Sequence, residues 1–276
     1  TNDASINGLT VGKGGGAVAS NTAVGASALS SNTTGTYNVA VGNLALLSMT
    51  TGTGNTALGY GAQYNAATGD YNTAIGNQVL RSTTGSYNTG LGTSALYSNT
   101  TADNNIAVGY TAVYNNTTGT QLIGIGVGAL YRNTTANFNI GIGHEALYNN
   151  TTGASNVALG KGALLSNTTA SNNTAVGFQS GYALTTSGYN VAIGYQTLYS
   201  ATTSGTVDGS VAIGYQAGKS TTSSGFVTAV GNAALTANTS GSGNGAFGSG
   251  SLSSNTTGSY NIAIGDLSLK SNTTAS

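Results

Sequence analysis

Apolar and polar residues alternate over very short stretches of this chain, and the alternation returns with a fixed period. The segment Asn21 to Gly25, Asn-Thr-Ala-Val-Gly, recurs almost unchanged along the chain. Its closing glycines fall at Gly25, Gly42, Gly59, Gly76, Gly92, Gly109, Gly126, Gly143, Gly160, Gly177, Gly194, Gly214, Gly231, Gly248 and Gly265. The steps are 17 residues, apart from 16 before Gly92 and 20 before Gly214. The shortened copy omits a residue between Arg81 and Gly85, and the lengthened one adds three around Thr206 to Gly209. Both changes fall in turn-like sequence, where a stacked repeat tolerates them. Numbered from the asparagine, the consensus is Asn, Thr/Val/Ile, Ala/Gly, Val/Ile/Leu and Gly at positions 1 to 5, with position 6 and position 7 variable. Ala, Leu, Tyr/Leu/Ser, Ser/Asn, Asn, Thr, Thr and Gly follow at positions 8 to 15, and two variable residues close the unit, the last often Tyr.

The segment from Asn to Gly is short, β-branched and alternating, with turn residues on either side, and it predicts a strand. A second, weaker strand is predicted at Ala-Leu-Tyr, positions 8 to 10. No stretch sustains an i, i+3, i+4 apolar pattern, and glycines this frequent would each cost a helix about 1 kcal/mol. The pattern predicts an all-β fold, a parallel β-solenoid or β-roll of about fifteen 17-residue coils spanning residues 21–276, behind a leader or N-terminal cap at residues 1–20. In-register stacking at about 4.8 Å would align Asn21, Asn38, Asn55 and Asn72 in an amide ladder, with Val24, Val41, Leu58 and Ile75 in an aliphatic column beneath it, in a rod of about 70 Å. The Val/Ile/Leu and Ala/Gly positions face opposite sides of the strand and both are apolar or tiny. Both faces are therefore expected to be buried, one inside the coil and one against another chain, and a homotrimer is the expected assembly. A buried aliphatic column implies that Asp in place of Val108 or Ile142 costs several kcal/mol. The final coil stops after Asn272-Thr-Thr-Ala without an altered cap sequence, which leads to the expectation that sequence continues or that another molecule docks there.

Composition supports a fibrous class. There are 44 Gly, no Pro, no Cys, no Trp and 4% charged residues, against about 25% charged in globular proteins. The formal charge is zero and the basic residues Lys13, Arg81, Arg132, Lys161, Lys219 and Lys270 are scattered, so there is no footprint for nucleic acid. No apolar run approaches the roughly 20 residues of a membrane span, so no membrane insertion is expected. A charge repeated at strand spacing would repel its own copies, which accounts for the scarcity of charge.

The Asn-Thr-Ala-Val-Gly strands, with Ala-Leu-Tyr and Asn-Thr-Thr-Gly between them, resemble the repeat arrays of bacteriophage tail fibres and, more distantly, the heads of trimeric autotransporter adhesins. The likeness covers essentially the whole chain. Its leader, Ser5 to Gly16, resembles segments that introduce such arrays. In adhesin heads a strand like Val191 to Gly194 or Val211 to Gly214 builds a left-handed parallel β-roll that trimerises. The longer 17-residue period departs from those heads and implies a wider coil. The resemblance implies a structural, non-catalytic fibre shaft, on a virion surface or otherwise extracellular, that supports attachment to a cell surface. A self-assembling extracellular filament and an ice- or surface-binding solenoid are the alternatives.

Chemistry-bearing residues are few, and no enzyme, cofactor or metal site is expected. His144 beside Glu145 is the only imidazole. Asp3, Asp70, Asp103, Glu145, Asp208 and Asp266 are read as lying in different coils and different repeat positions, which gives neither an acid and base pair nor a calcium repeat. Gly124-Ile-Gly126 and Gly141-Ile-Gly143 sit in strands without the helix a nucleotide loop needs, and read as packing glycines. Tyr97, Tyr114, Tyr131 and Tyr148 share one position in four successive coils. Such a stripe suits stacking on a cell-surface glycan, or a structural ladder, with the ladder favoured. Asn32, Asn99, Asn116, Asn133, Asn150, Asn167, Asn255 and Asn272 each open an Asn-x-Thr acceptor sequence, although the position reads chiefly as turn chemistry. Thr-Thr pairs such as Thr33-Thr34 and Thr117-Thr118 motivate the ice-binding alternative.

Overall fold

The computed structural model describes residues 3–201, 208–222 and 225–276, so that Thr206, within the lengthened copy, lies outside the described residues. Two compact units divide the chain, Thr1–Phe138 and Asn139–Ser276. Each is a parallel β-solenoid. In the first, a hairpin of β1 (Ala4–Ile6) and β2 (Leu9–Gly12) precedes β3 (Thr22–Val24), β4 (Val39–Val41), β5 (Thr56–Leu58), β6 (Thr73–Ile75), β7 (Thr89–Leu91), β8 (Ile106–Val108) and β9 (Ile123–Ile125). The second contains β10 (Ile140–Ile142), β11 (Val157–Leu159), β12 (Thr174–Val176), β13 (Val191–Ile193), β14 (Val211–Ile213), β15 (Thr228–Val230), β16 (Gly245–Phe247) and β17 (Ile262–Ile264).

Like residues pair with like. Thr22, Ala23 and Val24 face Val39, Ala40 and Val41 in parallel register, and β14 to β15 repeats the arrangement at Val211, Ala212 and Ile213. The shortened copy keeps this register, with Thr73 opposite Thr89, so the missing residue is absorbed entirely in the turn. Bonds run both ways between adjacent coils: Thr22 N–H donates to Asn38 C=O at 2.8 Å, and Gly42 N–H donates back to Val24 C=O at 2.8 Å. In the leader, Asn7 and Gly8 take left-handed φ of 51° and 83°, the turn chemistry of a two-residue hairpin. Strand β2 then runs antiparallel to β3, with Val11 opposite Val24, and covers the strand edge that β3 would otherwise present.

Two expectations are corrected. The second strand is absent: positions 6 to 11 form a turn in every described coil. Its cause is backbone handedness, because position 7 and position 9 take positive φ, as at Leu44 (61°) and Leu46 (51°). The peptide groups still reach across coils, Leu29 N–H to Ala45 C=O at 2.9 Å and Leu44 N–H to Ala26 C=O at 3.0 Å, but without a pleat. A left-handed leucine costs about 1–2 kcal/mol. Complete burial of the Leu29, Leu46, Leu96, Leu130 and Leu147 side chains, at about 1.5–3 kcal/mol each, offsets it.

The second correction concerns the faces of the strand. Alanine at position 3 points inward and is buried, as at Ala40, Ala57, Ala107 and Ala192, whereas the Val/Ile/Leu residues of position 4 point outward. Leu58, Ile75, Leu159 and Ile193 are more than a third exposed. The coil is too thin for the reverse arrangement: a Cβ on Gly124, at position 3, would lie 2.5 Å from Val113 Cγ2 and 3.7 Å from Leu130 Cδ1. The interior is thus a column of alanines against a column of position-9 leucines. Val108 and Ile142 are half-buried on the outer side, so the cost expected of a buried charge does not apply to them in a single chain.

Position 5 must be glycine for two reasons. Gly143 has φ 133°, and a Cβ there would meet the Gly160 carbonyl carbon and oxygen at 2.6 Å. Gly162, at position 7, also has positive φ (65°) but meets nothing closer than 3.5 Å. Gly143→Ala is therefore expected to lower stability by more than about 3 kcal/mol, and Gly162→Ala by about 1 kcal/mol. Denaturant unfolding of the two variants checks this, and equal losses would remove the carbonyl clash from the explanation.

Candidate functional site

Three columns of side chains run along the coils and hold most of the chain's polar and aromatic chemistry. The first is the position-1 asparagine. Asn38 accepts the Asn55 N–H at Oδ1 (2.9 Å) and donates Nδ2 to Gly52 C=O (2.7 Å), which ties each coil to the next and closes its own turn. Burial of Asn38, Asn55, Asn72 and Asn88 is almost complete, and their amides are satisfied by this arrangement.

The position-12 asparagines form a second ladder. Asn116 Nδ2 donates to Asn99 Oδ1 (2.9 Å) and Gly119 C=O (2.8 Å), and Asn133 Nδ2 donates to Asn116 Oδ1 (3.0 Å). These are the residues of the Asn-x-Thr sequences. Asn32, Asn99, Asn116, Asn133, Asn150, Asn167 and Asn255 are buried, and only Asn272 in the last coil is half-exposed. A glycan on any buried member would need its turn to open. The ladder has visible ends: Asn32 Oδ1 and Asn167 Oδ1 lack partners, because position 12 of the following coil holds Met49 or Leu184 instead of a donor. Threonine at position 13 is consumed likewise, Thr33 Oγ1 donating to Thr50 C=O and Thr100 Oγ1 to Thr117 C=O, both at 2.9 Å.

The third column is aromatic, at position 10. Tyr97 stacks on Tyr114 with ring centroids 4.9 Å apart and planes within 5°, and Tyr114 on Tyr131 at 5.2 Å. Arg81 occupies the same position one coil earlier and places its guanidinium 5.3 Å from the Tyr64 ring and 5.6 Å from the Tyr97 ring, standing in for a ring between them. Tyr148 occupies this position in the second unit, where Tyr182 and Tyr199 stack at 5.1 Å. Within the Tyr97, Tyr114 and Tyr131 column the rings cover one another's faces, leaving edges and hydroxyls outward, so a sugar has no open face on Tyr114. Burial, then the phenols of Tyr97, Tyr131 and Tyr110, raise the Tyr114 pKa above the ordinary phenol value, with Arg81 opposing.

Acidic residues are not placed as expected. Asp70, Asp103 and Asp208 share position 16, where each carboxylate accepts a backbone N–H of the preceding coil at 2.7 Å, from Thr53, Ser86 and Gly188 respectively. Length variation and the low density of Asp hid the shared position. His144 Nδ1 lies 3.5 Å from Glu145 Oε2, with both side chains open to solvent. Among the described residues no group of three or more His, Cys, Asp or Glu side chains converges, and no helix is long and apolar enough to cross a membrane.

One feature was missed by sequence reasoning. Every exposed large apolar side chain from Tyr37 to Ile264, among the described residues, lies at position 17, 2, 4 or 6. Position 2 and position 4 point out from the strand, and the aromatic residues of position 17 (Tyr71, Tyr87, Phe138, Tyr189) and position 6 (Tyr60, Tyr110, Tyr195, Tyr215) flank it. In the first unit these positions carry no charged residue. The signal lay in the variable positions bordering the strand, which are rich in Tyr and Phe.

No protein-family model, curated protein or solved structure matches the chain.

Asn116→Leu would orphan the Gly119 N–H, which donates to Asn116 Oδ1 at 3.1 Å, and leave Asn99 Oδ1 only a 3.5 Å contact from Asn105 Nδ2. It is expected to cost about 2 kcal/mol or more, at about 1–3 kcal/mol per buried unsatisfied group. Asn43→Leu, at an exposed position, should stay within about 0.5 kcal/mol, and denaturant midpoints compare the two. Because the Tyr114 pKa is raised in the folded chain, its protonated form contributes stability that is present below the unfolded phenol value, about 10, and is lost as pH rises through the folded value. Tyr114→Phe should therefore show a shallower alkaline fall in melting temperature than the parent.

Proposed function

We propose that this chain is the non-catalytic shaft of a surface-exposed fibre, built by lateral association of copies of itself through the aromatic and aliphatic strand face. The observation that carries the reading is the segregation of exposed apolar side chains to positions 17, 2, 4 and 6. A monomer in water gains nothing from such a continuous stripe, and stripes of this kind mark interaction surfaces. A second copy matches it best, since only another coil of the same period offers apolar columns at the same axial spacing, and a closed arrangement of identical faces is the usual solution. A homotrimer is the assembly favoured, and end-to-end growth into a filament is the alternative.

The polar chemistry supports a structural role as well. Asparagine, threonine and aspartate side chains are spent on bonds between coils. That expenditure weakens the ice-binding alternative, since the Thr33, Thr100 and Thr117 hydroxyls each donate to a carbonyl of the next coil. The resemblance to tail-fibre arrays and adhesin heads supports an extracellular or virion-surface location and a part in attachment to a cell surface, with a glycan as the candidate receptor class.

Light scattering at micromolar concentration is expected to give a fixed oligomeric mass for the parent chain. Ile106→Asp with Ile125→Asp, both exposed in a single chain, should give a monomer that keeps its β-signal. A monomeric parent with native β-signal would refute lateral association, and a mass that grows without limit would favour the filament.

A further inference from the structure

The tyrosine columns are arranged for covalent cross-linking. Stacked phenol pairs recur between successive coils: Tyr71 with Tyr87 at 5.4 Å, Tyr97 with Tyr114 at 4.9 Å, Tyr114 with Tyr131 at 5.2 Å, Tyr182 with Tyr199 at 5.1 Å and Tyr195 with Tyr215 at 5.3 Å. Interplanar angles in these pairs are all 18° or less. From the run of three stacked phenols at position 10 (Tyr97, Tyr114 and Tyr131), against single phenol pairs at position 17 (Tyr71, Tyr87) and position 6 (Tyr195, Tyr215), we propose that the position-10 column is a modification site at which one-electron oxidants join adjacent tyrosines into dityrosine, stapling coil to coil in a chain that has no cysteine.

The ring that meets the oxidant need not be the ring that reacts, because a radical formed on any member has an oxidisable neighbour in stacking contact. Arg81, 5.6 Å from the Tyr97 ring, disfavours positive charge at that end and directs it toward Tyr114 and Tyr131. In the chemical step each of two phenols gives one electron to the oxidant and its hydroxyl proton to water. The two radicals pair to form one Cε–Cε bond, and the hydrogens on the bonded carbons pass through solvent to the oxygens, restoring both aromatic rings. Two electrons and two protons leave per pair, and nothing is added. The rings must swing from stacked to edge-joined, which their half-buried, solvent-facing positions permit. The oxidant is a peroxide-driven peroxidase or any one-electron acceptor of comparable strength. The pairs lie within one chain, so the proposal does not depend on lateral association.

The test uses the intact chain at a dilution where collisions are rare, with a photo-oxidised ruthenium(III) complex and persulfate as electron acceptor. Tryptic cleavage leaves Tyr97, Tyr114 and Tyr131 between Arg81 and Arg132 in one peptide. That peptide is expected to lose two hydrogens, gain dityrosine fluorescence and resist fragmentation between the joined tyrosines. The double variant Tyr97→Phe with Tyr131→Phe keeps aromatic rings beside Tyr114 but removes both phenol partners, and should lose the Tyr114 cross-link at least tenfold while keeping the parent melting temperature. Oxidation in urea should abolish the preference for this column. Cross-links spread evenly over all tyrosines in the folded chain, links found only between molecules, or an unchanged Tyr114 link in the double variant would each overturn the proposal.

Discussion

Everything in this fold follows from having each residue lie one strand spacing, about 4.8 Å, from a copy of its own position. Whatever occupies a position must tolerate itself above and below. Glycine at position 5 does so because its carbonyl takes the place a side chain would need, as between Gly143 and Gly160. Asparagine does so because it is both donor and acceptor, so identical copies bond one another, Asn133 to Asn116 and Asn116 to Asn99. A carboxylate or ammonium cannot, and the aspartates Asp70, Asp103 and Asp208 bond backbone N–H groups instead. Asp70 and Asp103, two coils apart at one position, are separated by Ser86, whose backbone N–H donates to Asp103 and whose hydroxyl accepts the Asp70 N–H.

The same constraint explains which parts of the fold were legible in the sequence. Period, parallel register and the position-1 ladder are properties of repetition and could be read directly from Asn21, Asn38 and Asn55. The inward face was misread because burial is normally inferred from side-chain size, and here the buried residue is the small one: Ala107 is inside while Ile106 is 40% exposed. A coil of 17 residues whose turns carry leucine inward at position 9 leaves room only for alanine opposite. Size then reverses the usual pattern.

Handedness was hidden for a related reason. Leucine is a poor marker of left-handed backbone, so Leu46 and Leu96 read as strand residues although their φ values are 51° and 52°. The clue was present in the exceptions. Glycine replaces the usual residue at position 7 in Gly61, Gly128 and Gly162, and at position 9 in Gly181 and Gly218, all with φ between 58° and 65°. Position 17 behaves the same way, with Gly54 and Gly243 alternating with Tyr71 and Tyr260. An intermittent glycine in a repeat thus reports the backbone of every coil, including those where a bulky residue sits in the same conformation.

Departures from the repeat show how tightly the interior is coupled. Gly181 removes a leucine from the core column, and a Cβ added there would meet Leu164 Cδ2 and Leu184 Cδ1 at 3.0 Å, so the space is already filled by Leu184 from position 12. That filling ends the amide ladder and leaves Asn167 Oδ1 without a donor, a loss of about 1–3 kcal/mol set against the burial of a leucine of about 1.5–3 kcal/mol. The two effects nearly cancel, which is why such an exchange can persist. The interior variation at Gly181 and Leu184 is thus compensated, whereas positions 6 and 17 vary from tyrosine to glycine, lysine or asparagine without any such partner. Freedom of that kind goes with exposure to solvent, and it is on positions 6 and 17, beside the strand, that the aromatic surface of the molecule is written.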